Sequence, residues 1–232
     1  LRKSLANTRW FDQASGDGGQ VIVDQTTPNT LNPSVPAYVF GTYYGISPYR
    51  FTDGGNFFTN QYIRGGIDLS DRSDFYTPFV MNPDDPSQLF LGTFRLYRTD
   101  NARASSAGDV KWKAISGDLT TGCTGTAPNG ARNCTISAIG VGGGDAVYTG
   151  SLDGRVFVST DAQATDTPTW TAADKDQDLP NRPVAGIAVD RSNYRIAYAA
   201  FNGFNAATKA HPGHVFRTLD GGKKWTNISG DM

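Results

Sequence analysis

Phe216-Arg217-Thr218-Leu219-Asp220-Gly221-Gly222-Lys223-Lys224-Trp225 is the stretch on which the fold turns, because its pattern recurs along the chain. Tyr49-Arg50-Phe51-Thr52-Asp53-Gly54-Gly55 parallels it, Phe157-Val158-Ser159-Thr160-Asp161 lacks the glycines, and Tyr97-Arg98-Thr99-Asp100 is a shortened copy. Downstream, Ser229-Gly230-Asp231 after Trp225 matches Ser116-Gly117-Asp118 after Trp112 and Ser15-Gly16-Asp17 after Trp10. One unit is therefore legible at both its ends, and an internal repeat decides architecture before any local element does.

Trp10, Trp112, Trp170 and Trp225 are all the tryptophans of the chain, and Phe58 stands in the long gap between the first two. The steps are 48, 54, 58 and 55 residues. Within each unit apolar residues alternate with period two, which belongs to strands. The third unit reads as strands over 136–141, 146–149, 155–159 and 169–171, and the fourth over 184–189, 195–200, 214–218 and 224–228. The second reads over 75–80, 88–93, 96–99 and 111–115; the first over 20–23, 38–44, 48–52 and 57–63. Asn82-Pro83-Asp84-Asp85-Pro86 and Asp190-Arg191-Ser192-Asn193 are turn-formers between first and second strands. No long window has a 3.6-residue period, which argues against α/β barrels and nucleotide-binding sheets.

Four-stranded antiparallel units of this length are blades of an all-β propeller. An all-β sandwich leaves the likeness between units unexplained. The expected organisation is one propeller domain over 1–232, with 1–15 ending a preceding blade and blades at about 16–63, 64–117, 118–173 and 174–232. About four blades of a six- to eight-bladed propeller are expected, with additional blades or self-association closing the ring, since bare terminal sheets are avoided. The start at Leu1 reads as a processed or excised piece.

Composition agrees. The 232 residues include 27 glycines and 12 prolines, with only 19% charged, which argues against a helical protein. A formal charge of -1 and no Lys/Arg run argue against nucleic acid as a partner. No apolar run is long enough to span a bilayer. Two histidines and two scattered cysteines are poor material for a structural zinc. A disulfide between Cys123 and Cys134 fits their polar segment better and points to an oxidising compartment; two free thiols are the alternative.

The Tyr/Phe-Arg-Ser/Thr-x-Asp-Gly-Gly-x-x-Trp pattern resembles the Asp-box, or BNR repeat, of sialidases, xyloglucan-hydrolysing propellers, sortilin-type receptors and many secreted bacterial propellers. Thr218, Asp220, Gly222 and Trp225 match the box fully; Phe51, Asp53, Gly55 and Phe58 occupy its places with aromatic substitutes. Ser159 and Asp161 keep its leading half with Trp170 displaced, and the copy at Asp100, before Trp112, is short by one. The resemblance implies a structural role for these residues on an outer rim. The residues say the same: a carboxylate before glycines can accept backbone N–H bonds in a turn, and the following aromatic ring can bury against it.

Chemistry is expected at the loops connecting innermost strands. Candidates are Asp17, the run Asp68, Asp71 and Asp74, and Asp145 after Gly142-Gly143-Gly144. Glycoside hydrolysis needs two carboxylates about 5 Å or roughly 6.5–9.5 Å apart, which spacing in sequence cannot show. A sialidase-like site would need an arginine cluster, for which Arg64, Arg72, Arg95 and Arg182 are available. Asp174, Asp176 and Asp178 alternate as calcium ligands can, but also as a solvated turn does. His211 and His214 lack a third ligand nearby. Tyr43, Tyr44, Tyr49, Phe57 and Phe58 could form a sugar or peptide platform, with part of the set needed for packing.

The expected function is a secreted or periplasmic, non-enzymatic scaffold binding glycan or protein, with no cofactor and with polysaccharide or another protein as partner. The alternative is a propeller glycoside hydrolase with paired carboxylates. A third possibility, a purely structural segment, is marked by the lack of an exposed aromatic patch at the loop end.

Overall fold

The computed structural model describes residues 2–3, 10–11, 18–30, 33–34, 36–54, 57–121, 134–174, 178–204 and 212–230. Two short strands, β1 (Arg2–Lys3) and β2 (Trp10–Phe11), pair as a hairpin. Four four-stranded antiparallel sheets follow, each built from consecutive strands in order. The first blade is β3 (Val21–Val23), β4 (Val39–Thr42), β5 (Pro48–Phe51) and β6 (Gln61–Tyr62). The second is β7 (Phe79–Met81), β8 (Leu89–Gly92), β9 (Leu96–Thr99) and β10 (Lys113–Ala114). The third is β11 (Ile136–Val141), β12 (Val147–Ser151), β13 (Val156–Ser159) and β14 (Thr171–Ala172). The fourth is β15 (Val184–Val189), β16 (Ala197–Phe201), β17 (Val215–Thr218) and β18 (Thr226–Asn227). This is an all-β fold of blade-like sheets, a partial β-propeller.

The middle strands carry the core. In β8 and β9 all four residues are buried, as are all five of β12. First strands of successive blades lie against each other, β7 on β11 and β11 on β15. Gly140 permits a close approach of β11 to β15, since a Cβ there would stand 2.7 Å from Ile187 Cγ2. The bulge between Ile136 and Ala138 is repeated between Val184 and Gly186, so blades three and four bend alike where their first strands begin.

Trp112, Trp170 and Trp225 each tie their blade to the one before. Trp112 Nε1 donates to the Ile63 carbonyl at 2.7 Å, Trp170 Nε1 to that of Ile115 at 3.0 Å, and Trp225 Nε1 to that of Ala173. Each acceptor directly follows the preceding blade's fourth strand, so one contact recurs at all three interfaces. A second recurs with variation. Arg50 opposite Gln61, Arg98 opposite Lys113 and Arg217 opposite Thr226 share one register, which Val158, opposite Thr171, occupies in blade three. Arg50 donates to the Ala102 carbonyl at 2.8 Å, and Arg98 to that of Ala162 at 2.9 Å, each crossing to the next blade.

Two sequence expectations move. Phe58 does not stand in for a tryptophan: it is 92% exposed on a short 3-10 turn, and Asn60, just before Gln61, holds the tryptophan register. In blade two the turn acceptor is Asn101 rather than Asp100. Asn101 Oδ1 accepts from Thr99 Oγ1 and from the N–H of Lys111, the residue before Trp112. Asp161 does the same with Ser159 and Thr169, and Asp220 with Thr218 and Lys224. Asp100 instead pairs with Arg98 and Gln88. Gly222 allows the Asp220 turn, with φ +84° and a Cβ that would meet Ala173 at 2.7 Å. Asp53 accepts from Asn29, and Gly55 lies outside the described residues.

The expected Cys123–Cys134 bridge lies outside the described residues, because Cys123 is not among them. Cys134 is buried, its Sγ 3.5 Å from Thr121 Oγ1, and no free cysteine is found among the described residues.

The first interface has a pH-sensitive element. Burial alone would raise the pKa of fully buried Asp24, but bonds from Thr26 N–H and Oγ1, from Thr27, and the Arg103 ion pair outweigh it and hold it below the ordinary value. A depressed folded pKa adds stability that is complete above the unfolded value near pH 4 and lost as pH falls through the folded one. Denaturation midpoints from pH 7 down to pH 2 are expected to fall less steeply in Asp24→Asn, starting from a lower value at pH 7; equal slopes would refute the assignment.

Candidate functional site

Antiparallel order divides the blades into two ends. One carries the connectors from each fourth strand to the next first strand and the turns between second and third strands. The other carries the remaining turns, including those of Asp161 and Asp220. Asp145 falls at this second end: Gly143 N–H reaches the Asp190 carbonyl and Gln163 N–H reaches that of Asp145. It is therefore separated from the Asp68–Asp74 connector, contrary to the sequence reading.

At the connector end, the segment between β6 and β7 meets the β4–β5 turn. Gly45 N–H donates to the Phe75 carbonyl at 2.8 Å, Thr77 Oγ1 donates to the Gly45 carbonyl at 2.8 Å, and Gly45 forms a β-bridge with Tyr76. This junction gathers four rings. Tyr43 and Tyr44 lie 4.7 Å apart, Tyr44 and Phe75 stack at 5.9 Å, and Phe75 meets Tyr76 edge-on at 4.9 Å. Tyr44, Phe75 and Tyr76 are 51%, 45% and 51% exposed. Aromatic rings cluster in cores for their area; half-exposed ones fixed by backbone bonds form a surface platform. Tyr49 is buried in the core and Phe58 lies on another turn, so only Tyr43 and Tyr44 of the sequence candidates join it. Phe75 and Tyr76 were read as strand because Phe75 to Val80 alternates; the bridge to Gly45 is a non-local contact that alternation does not reveal.

The same connector holds Asp68, Asp71 and Asp74. Asp71, its side chain 4% exposed, accepts Arg95 Nε at 2.8 Å and Nη2 at 2.7 Å, Thr93 Oγ1 at 3.0 Å and the Tyr97 hydroxyl at 2.7 Å. Hydrogen bonding to Asp71 raises the Arg95 pKa, and burial together with Asp71 raises that of Tyr97, keeping the phenol a donor. Four donors saturate the Asp71 carboxylate, which suits it to positioning. Asp68 is different: half exposed, 3.4 Å from Arg95, and held below the ordinary carboxylate range by the Ser70 hydroxyl and N–H. It is an ionised, solvent-facing carboxylate. Asp74 Oδ1 accepts from Phe75 N–H.

Arg72 and Arg95 approach one ring, 4.2 and 5.1 Å from the Phe94 centroid, but Arg72 is paired with Asp118 and Arg95 with Asp71. Arg64 stacks on Tyr62, and Arg182 is buried against the Gly213 carbonyl. The four arginines do not converge as an anion-binding cluster. Asp17, Asp176 and His211 lie outside the described residues. Asp174 and Asp178 accept backbone N–H bonds from Leu179 and Trp225; burial raises Asp174 above its ordinary value. His214 lies 3.2 Å from the Phe201 carbonyl. Among the described residues no three acidic, His or Cys side chains gather as a metal site, and no helix is long and apolar enough to cross a membrane.

Comparison with solved structures gives the same fold. The chain is similar to an ancestral GH74 enzyme, with 18% identity and a TM-score of 0.57 over 94% of this chain and 25% of that one. It is also similar to Sqt1 of Saccharomyces cerevisiae, with 10% identity and a TM-score of 0.58 over 98% of this chain and 54% of that one. The chain thus spans about a quarter and about half of these two proteins. At such identities the likeness speaks to fold alone. No protein-family model matches the chain, and no curated protein matches it.

Proposed function

We propose that this chain supplies the glycan-holding face of a secreted or periplasmic propeller, of the glycoside-hydrolase kind in its intact protein. The half-exposed Tyr44–Phe75–Tyr76 platform carries this reading, since pyranose rings stack on such faces and the backbone junction holds the rings in place before binding. The fold-level likeness to a GH74 enzyme supports it. Asp68 is the carboxylate we assign to chemistry, as the exposed, ionised acid on the same connector. Asp71 positions Arg95 and Tyr97 beneath it.

A non-enzymatic scaffold is the second reading, favoured by the saturation of Asp71, which removes that carboxylate as a reactive partner for Asp68. Calorimetric titration with xyloglucan oligosaccharides tests both. Tyr44→Ala with Tyr76→Ala is expected to weaken binding about tenfold, the equivalent of roughly 1.4 kcal/mol. Hydrolysis that disappears in Asp68→Asn while binding persists marks the enzyme. Binding without hydrolysis marks the scaffold, and no saturable binding refutes both.

A further inference from the structure

At the blade three–blade four interface a valine stands where the other two have an arginine, and a cavity lies there. Arg50 and Arg98 reach carbonyls of Ala102 and Ala162, three residues after Thr99 and Ser159. Gly221 holds the same place after Thr218, but Val158 replaces the arginine that would reach it. A cavity of about 390 Å³ is lined there by Val158, Thr160, Thr171, Tyr194, Arg195 and Lys223, among others. That volume lies within the range of small-ligand sites.

Its polar lining is unspent. Arg195 and the hydroxyls of Thr160, Thr171 and Tyr194 have no side-chain partner among the described residues, and Arg195 and Lys223 are exposed. The one carboxylate of the lining, Asp220, turns Oδ1 to Thr218 Oγ1 and to the N–H groups of Lys223 and Lys224, which, despite burial, holds its pKa below the ordinary value. The lining thus carries two cations, three hydroxyls and one carboxylate that is held by Thr218, by backbone N–H groups and by the charge of Lys223, which leaves a net positive charge. That set suits an anionic, hydroxyl-rich ligand and disfavours a cation. Arginine binds carboxylates through paired N–H donors, and a tyrosine offers an apolar face beside a polar tip.

We propose that this cavity binds the carboxylate-bearing sugars of an acidic glycan. Arg195 and Lys223 take the carboxylate, and Thr160, Thr171 and Tyr194 take sugar hydroxyls. The site shares no residue with the Tyr44–Phe75–Tyr76 platform, and its test is independent of that reading.

The test is a titration of the protein with oligogalacturonide, cello-oligosaccharide, a sulfated oligosaccharide and inorganic phosphate. Two variants accompany it: Arg195→Ala/Lys223→Ala, which alters exposed side chains only, and Val158→Arg, which restores the side chain present in the other blades. Saturable oligogalacturonide binding that falls at least about tenfold in the double variant is the expected result, with a parallel loss in Val158→Arg. Absent binding, binding unchanged in the double variant, or a preference for phosphate or the sulfated sugar would overturn the proposal.

Discussion

Trp112→Ala is expected to destabilise the protein by about 3–5 kcal/mol, the range for removing a buried tryptophan. The indole is 3% exposed, packs near Phe79 at 6.2 Å between centroids, and donates to the Ile63 carbonyl. The loss combines a cavity in the core shared by blades one and two with an unanswered carbonyl. Trp112→Phe is expected to recover part of it, because a ring returns without the N–H. Trp170→Ala should cost less, since Trp170 is only half-buried although it makes the equivalent bond. Urea denaturation read by circular dichroism orders the three; equal losses for Trp112→Ala and Trp170→Ala would contradict the burial argument.

Asp71→Asn carries the second largest expected effect, about 2–3 kcal/mol. The amide keeps the volume but replaces an acceptor for four donors by one that brings donors of its own. Arg95, about a quarter exposed, keeps some water, which holds the cost below that of breaking a fully buried pair. Asp68→Asn is expected to lower the denaturation midpoint far less, because its carboxylate faces solvent and its ion pair with Arg95 is screened there. The contrast separates a positioning acid from one available for chemistry. A larger midpoint shift for Asp68→Asn than for Asp71→Asn would reverse the roles assigned to them.

The blades were legible because their repeat is written in large, rare side chains. Trp112, Trp170 and Trp225 are spaced by the unit length, and the structure gives each the same hydrogen bond to the preceding blade. Strand centres followed from alternation, whereas fourth strands shrank to two residues, as with Thr226–Asn227 against an expected 224–228. Asp100 and Asn101 show where residue type misleads: a hydroxyl two positions earlier selects the turn acceptor, and an amide oxygen serves as well as a carboxylate. Val158 was visible in the aligned copies, but its consequence depends on Arg50 and Arg98 crossing to the next blade, which no single unit reveals. The platform was half legible. Tyr43 and Tyr44 stood out, while Phe75 and Tyr76 joined them through a bridge between connectors about thirty residues apart.

The most direct test of the glycan-holding face is amide and aromatic NMR of the protein titrated with a xyloglucan oligosaccharide. Shifts concentrated on residues 43–47 and 68–77, with the rings of Tyr44 and Tyr76 moving most, are the predicted result. A spectrum unchanged at saturating sugar, or changes confined to other surfaces, would contradict it.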